Sequence, residues 1–569
     1  MKSQSSTSNG PARWLLLIVV VWLAGMPVAA LFFGSVRTPE GGFSTVYLER
    51  VFLSGSYTRA LISTLELGAY VGIAATVVGT IIAWIMSRMR LPGGQLLEIG
   101  IMAPIFISPF IGAVGWITLG QPNAGMLNAV LRSIGLPEIN IISYGGAVFI
   151  MALFFVPYAY SLLRHSMDRL NPELEEAAAI SGAGPLATLR HIVFPLLWPS
   201  LLSAVIIIFI LAAEMFSIPG LLLVPYGHEV LSYLIYAKTA HWPIDRSEAS
   251  AIGLILLLVT IVGMLLYGRS VKLQERFITV GPKSPRLGEA GRFSAKRTIG
   301  FLIVTLFILL SCVLPVVAIA VRAMLPYFSG TFNLSDLTLS NIEMTFSDRL
   351  ALVSLRNSLI VTAVSTVLLL VLAFLIALGR VRYKDRVSTL TWLVASIPIA
   401  VPGVLVGVGL IWLYIRTPVY ATIYVIILVM LARFLPVLVR LFETGLLQFG
   451  KELDEAARVC GASETTITRE IRLPLLAGTL RSAMTIGGTQ VFNELTASAL
   501  LYTSASSVLP VVIFNYMFDG DYSRATALAL LQIAIIAAAL ASVALISRVW
   551  RRLRAPRLAS SAIPVPQMS

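Results

Sequence analysis

The sequence predicts an all-α, polytopic membrane protein with about 12 transmembrane helices in two homologous six-helix halves. Three observations predict this fold class: only 12% of the 569 residues are charged, the mean hydropathy is +0.88, and uncharged runs as long as a membrane span recur. Soluble globular chains carry roughly 25% charged residues, and about 20 apolar residues cross a bilayer as a helix. The uninterrupted runs Trp14 to Phe33 and Leu359 to Gly379 also exclude a β-barrel, whose strands alternate apolar and polar residues.

Six apolar segments in each half have the length and composition of a span. The first resembles a signal peptide because small residues, Pro27 to Ala30, end it, but its apolar run is longer than an ordinary signal sequence, so we expect an uncleaved anchor. Segments 230-236 and 508-514 are predicted as short extracytoplasmic helices. The predicted spans are 14-33, 61-86, 98-119, 141-163, 196-218, 250-268, 299-321, 357-379, 389-414, 418-441, 477-500 and 524-546.

The net charge of +14 is concentrated at the ends of these spans. Counted inward from the N-terminus, the loops that collect most of the Lys and Arg fall on one side, together with both termini. Because cytoplasmic loops carry an excess of Lys and Arg, we expect a multi-pass protein of the bacterial inner membrane with both termini in the cytoplasm. The cationic clusters are not interleaved with aromatic residues as in single-strand binders, so the lipid bilayer, and not nucleic acid, is the expected partner of these charges.

An internal repeat divides the chain. Its matching residues are offset by 279 positions, and parallel repeats with a transport path between them are a known transporter plan. The matched residues are Glu176, Ala177, Ala178, Gly182, Ile192 and Pro195 in the first copy, and Glu455, Ala456, Ala457, Gly461, Ile471 and Pro474 in the second. We therefore assign 1-268 to a first transmembrane domain, 269-298 to a basic cytoplasmic linker, 299-546 to a second transmembrane domain and 547-569 to a basic cytoplasmic tail.

The repeated segment lies in the loop between the fourth and fifth spans of each half, residues 164-195 and 442-476. Glu and Ala favour helix, and Pro172 suits the first turn of one. Gly182 and Gly461 suit the left-handed residue that ends a helix. Each loop is therefore predicted to carry a short helix that presents a surface to a partner. The alternative is a structural loop helix left by gene duplication.

The pattern Glu-Ala-Ala, three residues, Gly, nine residues, Ile-x-Leu-Pro resembles the EAA loop in the membrane subunits of binding-protein-dependent ABC importers. The second copy fits fully, and the first has Phe194 where Leu is usual. The resemblance covers both halves and is to the fused permeases of the ferric-iron importer type, relatives of thiamine, 2-aminoethylphosphonate and polyamine permeases. It implies that Glu176 to Gly182 and Glu455 to Gly461 are coupling helices that dock on an ATPase subunit, with Pro195 and Pro474 leading into the next span.

The resemblance also implies the partners: two copies of a cytoplasmic ABC ATPase, which bind ATP and magnesium, and an extracytoplasmic solute-binding protein. The chain itself is expected to bind no cofactor and to be no enzyme. Segment 445-451 fits G-x-x-x-x-G-K, but Glu452 stands where Ser or Thr would hold magnesium, and the segment follows a membrane helix instead of a strand. A secondary transporter or a channel is the alternative, and neither would need paired docking helices.

We predict no catalytic and no metal-ligating residues. The four histidines are scattered over different loops, the metalloprotease and serine hydrolase motifs are absent from the sequence, and Cys312 and Cys460 supply neither a disulfide framework nor a cysteine zinc site.

Ionisable residues within spans are costly and mark functional sites. Glu66, Glu214, Arg433 and Glu494 are of this kind. Glu214 and Glu494 lie at nearly equivalent positions in the fifth span of each half, offset by 280, so they are candidates to face each other across the translocation path. The alternative is an ion pair or hydrogen bond with a neighbouring helix.

The sequence leaves the solute open. With four histidines and two cysteines, a relay of soft ligands for copper or zinc is not expected. Tyr226, Tyr233, Tyr236 and Glu229 offer oxygen donors that suit ferric iron, but tyrosines at such positions are also typical of interfacial anchors. The preference for ferric iron therefore rests on the resemblance, with thiamine, 2-aminoethylphosphonate and polyamine as alternatives.

Overall fold

A computed structural model describes residues 10–38, 41–170, 172–276, 295–326 and 334–559. Within these ranges the chain is helical and forms no β-strand, apart from one isolated bridge between Arg37 and Phe43. Buried apolar side chains form one core through both halves. The predicted all-α membrane fold is confirmed. Residues 277–294 of the predicted linker and 560–569 of the predicted tail lie outside the described residues, so those assignments stay predictions.

Nine helices in the described part of the chain are long and apolar enough to cross a membrane, and each coincides with a predicted span. They are Gly10–Val36, Gly55–Arg88, Tyr144–Met167, Leu189–Glu214, Arg246–Leu273, Ala295–Ala323, Arg349–Tyr383, Ile423–Leu447 and Tyr522–Val549. The shorter α-helices outside the third spans are Val46–Leu53, Met126–Ser133, Pro172–Ile180, Pro185–Thr188, Ser217–Leu222, Leu231–Ala240, Ser340–Ser347, Glu452–Val459, Glu464–Thr466, Leu473–Leu475, Ala477–Phe492, Ser498–Leu501 and Leu509–Phe518.

The third span of each half is broken. Pro104 and Pro398 lie in 3-10 turns just before the breaks, and proline, which donates no backbone hydrogen bond, ends an α-helix. The predictions of one helix over 98-119 and one over 389-414 are therefore corrected to bent pairs of helices. These pairs are Gly94–Ile105 with Pro109–Gly120, bent by 95°, and Arg386–Ile399 with Gly403–Tyr414, bent by 111°. If each pair counts as one span, the described residues contain eleven.

The predicted span 477-500 is also interrupted, because its helix Ala477–Phe492 stops just before Glu494. The carboxylate of Glu494 accepts hydrogen bonds from the backbone N–H groups of Ala497 and Ser498, at 2.8 and 3.1 Å, and so caps the next turn. In the first half, the fifth span ends at Glu214 itself. Both halves thus have a glutamate where the fifth helix stops.

The two halves exchange their first helices. Met26–Val36 of the first half packs on Gly403–Tyr414 of the second half, and Leu314–Ala323 of the second packs on Pro109–Gly120 of the first. Each half therefore completes the core of the other.

Two glycine–proline contacts fix this exchange. A Cβ placed on Gly409 would lie 2.0 Å from the carbonyl oxygen of Pro27, and one placed on Gly115 would lie 2.6 Å from that of Pro315. Each proline follows a five-residue π-helical turn, a local widening that accommodates a residue without an N–H. Only glycine lets the backbones approach this closely.

The two repeated motifs lie at the same end of the bundle. A Cβ on Gly300, near the start of the second half, would lie 2.9 Å from the sulfur of Met89, at the end of the first half's second span. From Gly300 the chain crosses the bundle and returns, so Tyr383 lies at the same end as Arg88. The motif helices Pro172–Ile180 and Glu452–Val459 lie at this end, because Glu175 contacts Arg88 and Asp454 contacts Arg382. We call this end the motif face.

Candidate functional site

The motif helices Pro172–Ile180 and Glu452–Val459 end in the same way. Gly182 and Gly461 have φ of +80° and +82°, the left-handed conformation predicted for them. In each copy the glycine N–H donates to the carbonyl three residues back, and the next residue donates to the carbonyl five residues back. This is the Schellman arrangement that satisfies the last carbonyls of a helix.

The side chains of the two motifs are also exposed alike. Ile180 is 87% exposed and Val459, its match in the repeat, is 88% exposed. Each motif helix therefore presents one large, almost fully exposed aliphatic side chain at the same position of the repeat. Of the residues predicted for coupling, Ala178 is buried and Ala457 half-buried, whereas the exposed ones are Glu176, Ala177, Gly182, Pro195, Glu455, Ala456, Gly461 and Pro474.

Buried charges anchor the second motif helix. Asp454, which immediately precedes Glu455, pairs with Arg472 at 3.0 Å and with Arg382 at 3.2 Å. The paired side chains are 6% exposed or less, and a buried charge is stable only while it is paired. Since Arg382 belongs to the helix Arg349–Tyr383, the motif helix is tied to the end of the second span of its half.

Glu464 extends this anchor to the exposed surface. Burial would raise the pKa of Glu464, but the hydrogen bond from Arg458 and the charge of Arg472 outweigh it and hold that pKa below its ordinary value. A carboxyl whose pKa is lowered by folding contributes stability above its unfolded-state pKa and loses it as the pH falls through its folded-state pKa. The contribution of Glu464 is therefore constant near neutral pH.

An ion pair between described residues also links the first motif helix to a span. Glu175 pairs with Arg88, the last residue of the second span, and the two side chains are 28% and 23% exposed. Two charged residues of the second copy are matched by uncharged residues in the first. Val193 stands in the place of Arg472, and Pro185 stands in the place of Glu464. Each motif helix therefore has an ion pair with the arginine at the end of a second span, and the pair of the second copy is the more deeply buried.

Glu214 and Glu494 meet on one arginine. A Glu214 carboxylate oxygen lies 3.0 Å from one terminal nitrogen of Arg433, and a Glu494 oxygen lies 3.6 Å from the other. The side chains are 18%, 3% and 19% exposed for Glu214, Glu494 and Arg433. Glu214 belongs to the first half and the others to the second, so the ion pairs bridge the halves. The structure thus shows the ion pair that the sequence left open, while a position of both glutamates on the translocation path stays a prediction. Glu66 is exposed elsewhere.

The helix breaks make room for this charge cluster. A Cβ on Gly403 would lie 1.1 Å from a guanidinium nitrogen of Arg433, so a larger residue there would displace the guanidinium. The N–H of Gly403 donates to Glu214 at 3.3 Å. Asn493 donates at 3.0 Å to the carbonyl of Phe106, at the break in the other half. The cluster thus sits where the breaks of both halves meet.

The sequence analysis identified neither the pairing of both glutamates with Arg433 nor the ion pairs that anchor the motif helices. Arg433 stands out there as an ionisable residue within a span, but the repeat matches it with Phe154, a buried aromatic residue, and so gives no symmetric partner. The links of Arg88 to Glu175 and of Arg382 to Asp454 were missed. An acidic residue before each Glu-Ala-Ala and an arginine at the end of each second span were the available signals.

The tyrosines considered as oxygen donors are not presented together to solvent. Tyr226 is exposed, whereas Tyr233 and Tyr236 are buried. Tyr236 packs on Phe216 and on Phe514 of the other half, with ring centroids 4.6 and 5.6 Å apart. Among the described residues no group of three or more His, Cys, Asp or Glu is placed to hold a metal ion.

Several curated relatives match nearly the whole chain. The ferric transport system permease protein FbpB of Actinobacillus pleuropneumoniae is 27% identical over 90% of this chain and 74% of its own length. The probable ABC transporter permease protein y4fN of Sinorhizobium fredii is 25% identical over 96% of this chain and 97% of its own length. The putative 2-aminoethylphosphonate transport system permease protein PhnU of Salmonella typhimurium is 25% identical over 45% of this chain and 91% of its own length.

The family described as "binding-protein-dependent transport system inner membrane component" matches residues 75–280 and 369–559. One match lies in each repeated half, and together they include both motif helices and more than half of the chain. The protein is therefore a member of that family, a multi-pass permease subunit of a binding-protein-dependent ABC transport system of the bacterial inner membrane.

Proposed function

We propose that this chain forms the whole translocation path of an importer for ferric iron, driven by two copies of a separate cytoplasmic ATPase. The motif face and both termini lie in the cytoplasm, and an extracytoplasmic binding protein delivers the solute to the opposite face. The chain supplies the path and the docking surfaces, and the ATPase subunits supply ATP hydrolysis.

The two motif helices support the docking of two ATPase subunits. Each presents one almost fully exposed aliphatic side chain, Ile180 or Val459, next to the glycine that ends the helix. Covering such a side chain in a cleft of a partner is favourable by about 25 cal/mol per Å² of apolar surface. Because the surface is repeated once in each half, one chain offers two docking sites.

The charge cluster between the halves supports a cation as the solute. Glu214, Glu494 and Arg433 carry a formal charge of −1 together, which attracts a cation and repels a phosphonate. Carboxylate oxygens suit a hard cation such as Fe³⁺. The relative named for ferric transport spans 90% of the chain, whereas the relative named for 2-aminoethylphosphonate transport spans 45%. We therefore place Glu214 and Glu494 on the path and favour iron.

The binding protein encoded beside this gene tests the solute. We expect it to bind ferric iron tightly and to bind 2-aminoethylphosphonate, thiamine and polyamines weakly, measured by titration calorimetry with each compound. Tight binding of one of the organic solutes, with no binding of iron, would contradict iron as the solute. The proposal that the chain belongs to an importer would still stand.

Reconstitution tests the importer against a secondary transporter or a channel. The purified chain is expected to hydrolyse no ATP, and proteoliposomes should take up solute only when the ATPase subunits, the binding protein and ATP are all present. Uptake that continues without any ATPase would contradict the proposal.

Replacing both Gly182 and Gly461 with Val is expected to uncouple ATP hydrolysis from transport. A residue with a Cβ in the left-handed conformation costs roughly 1–2 kcal/mol, so the helix end is redirected. Nothing lies within 4 Å of a Cβ at either glycine, so insertion and abundance should be unchanged. Uptake should fall at least tenfold in the double variant while ATP is still hydrolysed.

Gly184→Val is the matched control, because Gly184 lies in the same loop, also has open space around its Cβ, and is not among the glycines with positive φ. It should transport normally. Wild-type uptake by the Gly182→Val/Gly461→Val variant would refute the coupling role of the two glycines.

A further inference from the structure

We propose that Glu175 and Asp454, the acidic residues immediately before the two Glu-Ala-Ala triplets, are positioning residues that transmit movement of the motif helices to the membrane spans, and that the second copy is the stiffer link. This inference rests on the proposed docking of ATPase subunits at the motif face.

Each acidic residue faces away from the docking surface of its own helix. Asp454 and Val459 are five residues apart, about 140° around an α-helix; Asp454 is 3% exposed and Val459 is 88% exposed. Glu175 and Ile180 have the same spacing. A force applied by a partner at the exposed aliphatic residue therefore reaches the membrane-facing side of the helix at the acid.

The ion pairs lead from these acids to the helices around the charge cluster. Glu175 pairs with Arg88 and Asp454 with Arg382, each arginine lying at the end of a second span. The second span of each half packs along the fourth and fifth helices of that half. Glu214 ends the fifth helix of the first half, Glu494 lies just beyond the fifth helix of the second half, and Arg433 lies within the fourth helix Ile423–Leu447. The contacts are Gly55–Arg88 on Tyr144–Met167 and Phe194–Glu214, and Arg349–Leu378 on Ile423–Leu447 and Ala477–Phe492.

The two links differ in stiffness. Asp454 is held by two arginines whose side chains are 2% and 6% exposed, and losing one partner of a buried pair is strongly destabilising. The pair of Glu175 with Arg88 is about a quarter exposed, and solvent-exposed pairs contribute little. Movement at the second motif helix should therefore reach its spans with less loss than movement at the first.

The test is made on the complete transporter in proteoliposomes, with solute uptake per ATP hydrolysed as the main readout. Arg382→Gln removes the link to the span and leaves Asp454 paired with Arg472. Loss of one buried partner should lower abundance, but the protein that folds keeps Asp454 on Arg472 at 3.0 Å and should bind ATPase subunits as the wild type does. Uptake per ATP hydrolysed, a ratio that does not depend on abundance, should fall at least tenfold. Glu175→Gln should lower the ratio two- to threefold.

Two further variants separate coupling from folding. Asp454→Glu keeps the charge and should retain most of the coupling, whereas Asp454→Asn should lose it. Glu470→Gln makes the matched change at an exposed carboxylate of the same loop and should leave the uptake-to-ATP ratio unchanged. A purely structural role would lower abundance and ATPase binding with no change in the ratio.

Unchanged uptake per ATP in both Arg382→Gln and Glu175→Gln would overturn the inference. Equal losses in the two variants would overturn the difference in stiffness. Failure of the ATPase subunits to bind the wild-type chain would overturn the proposed docking instead, so the two failures are distinguishable.

Discussion

Replacing both Glu214 and Glu494 with Gln is expected to remove most of the protein from the membrane, together with all of its transport. The double change leaves the guanidinium of Arg433 uncompensated between the halves, and losing the partners of a buried charge costs about 3–5 kcal/mol. That is a large share of a typical folding free energy of about 5–15 kcal/mol. Either single change leaves Arg433 one carboxylate, at 3.0 or 3.6 Å, so each single variant should keep its abundance and lose uptake.

Membrane abundance and uptake are measured together in each variant. Adding Arg433→Met to the double variant removes the last charge of the cluster and should restore abundance without restoring uptake. This triple variant separates stability from transport. Unchanged uptake in both single variants would contradict a role of the glutamates in the path. Full abundance of the double variant would contradict the argument that Arg433 is destabilising without a partner.

Gly409→Ala is expected to weaken the joint between the halves severely. The added Cβ would lie 2.0 Å from the carbonyl oxygen of Pro27, and a backbone atom cannot move aside as a side chain can. Overpacking a well-packed core typically costs about 1–3 kcal/mol and occasionally more. We expect the upper end of that range here and a somewhat smaller loss for Gly115→Ala, where the distance is 2.6 Å.

The measurement is the midpoint of thermal unfolding in detergent, followed by fluorescence. Gly268→Ala is the control, because Gly268 lies within a span and a Cβ there would meet nothing within 4 Å. It should be neutral or slightly stabilising, since Ala is the better helix former. A midpoint for Gly409→Ala equal to that of Gly268→Ala would show that the exchanged helices do not hold the halves together.

The sequence was sufficient for features that depend on local patterns. Apolar runs such as Leu359 to Gly379 identify spans by length alone, and the offset of 279 between Glu176 and Glu455 reveals the two halves. The ends of the motif helices were also predictable, because only glycine adopts φ near +80° without strain.

Features that depend on contacts between helices were not predictable in this way. Apolar composition does not distinguish a straight span from the pair bent by 111° at Ile399 and Gly403. A helix that ends at Phe492 depends on where the carboxylate of Glu494 points. The distance from Glu214 to Arg433, residues 219 positions apart, is set by the packing of one half on the other.

The mismatch of Arg433 with Phe154 has a consequence for symmetry. Two identical subunits would bring either two arginines or none to the axis between them, so two glutamates there would be fully neutralised or left unopposed. A single polypeptide with diverged halves escapes this rule and holds one cation against two anions. Divergence of the two halves therefore permits an odd charge between them, which a homodimer of either half could not possess.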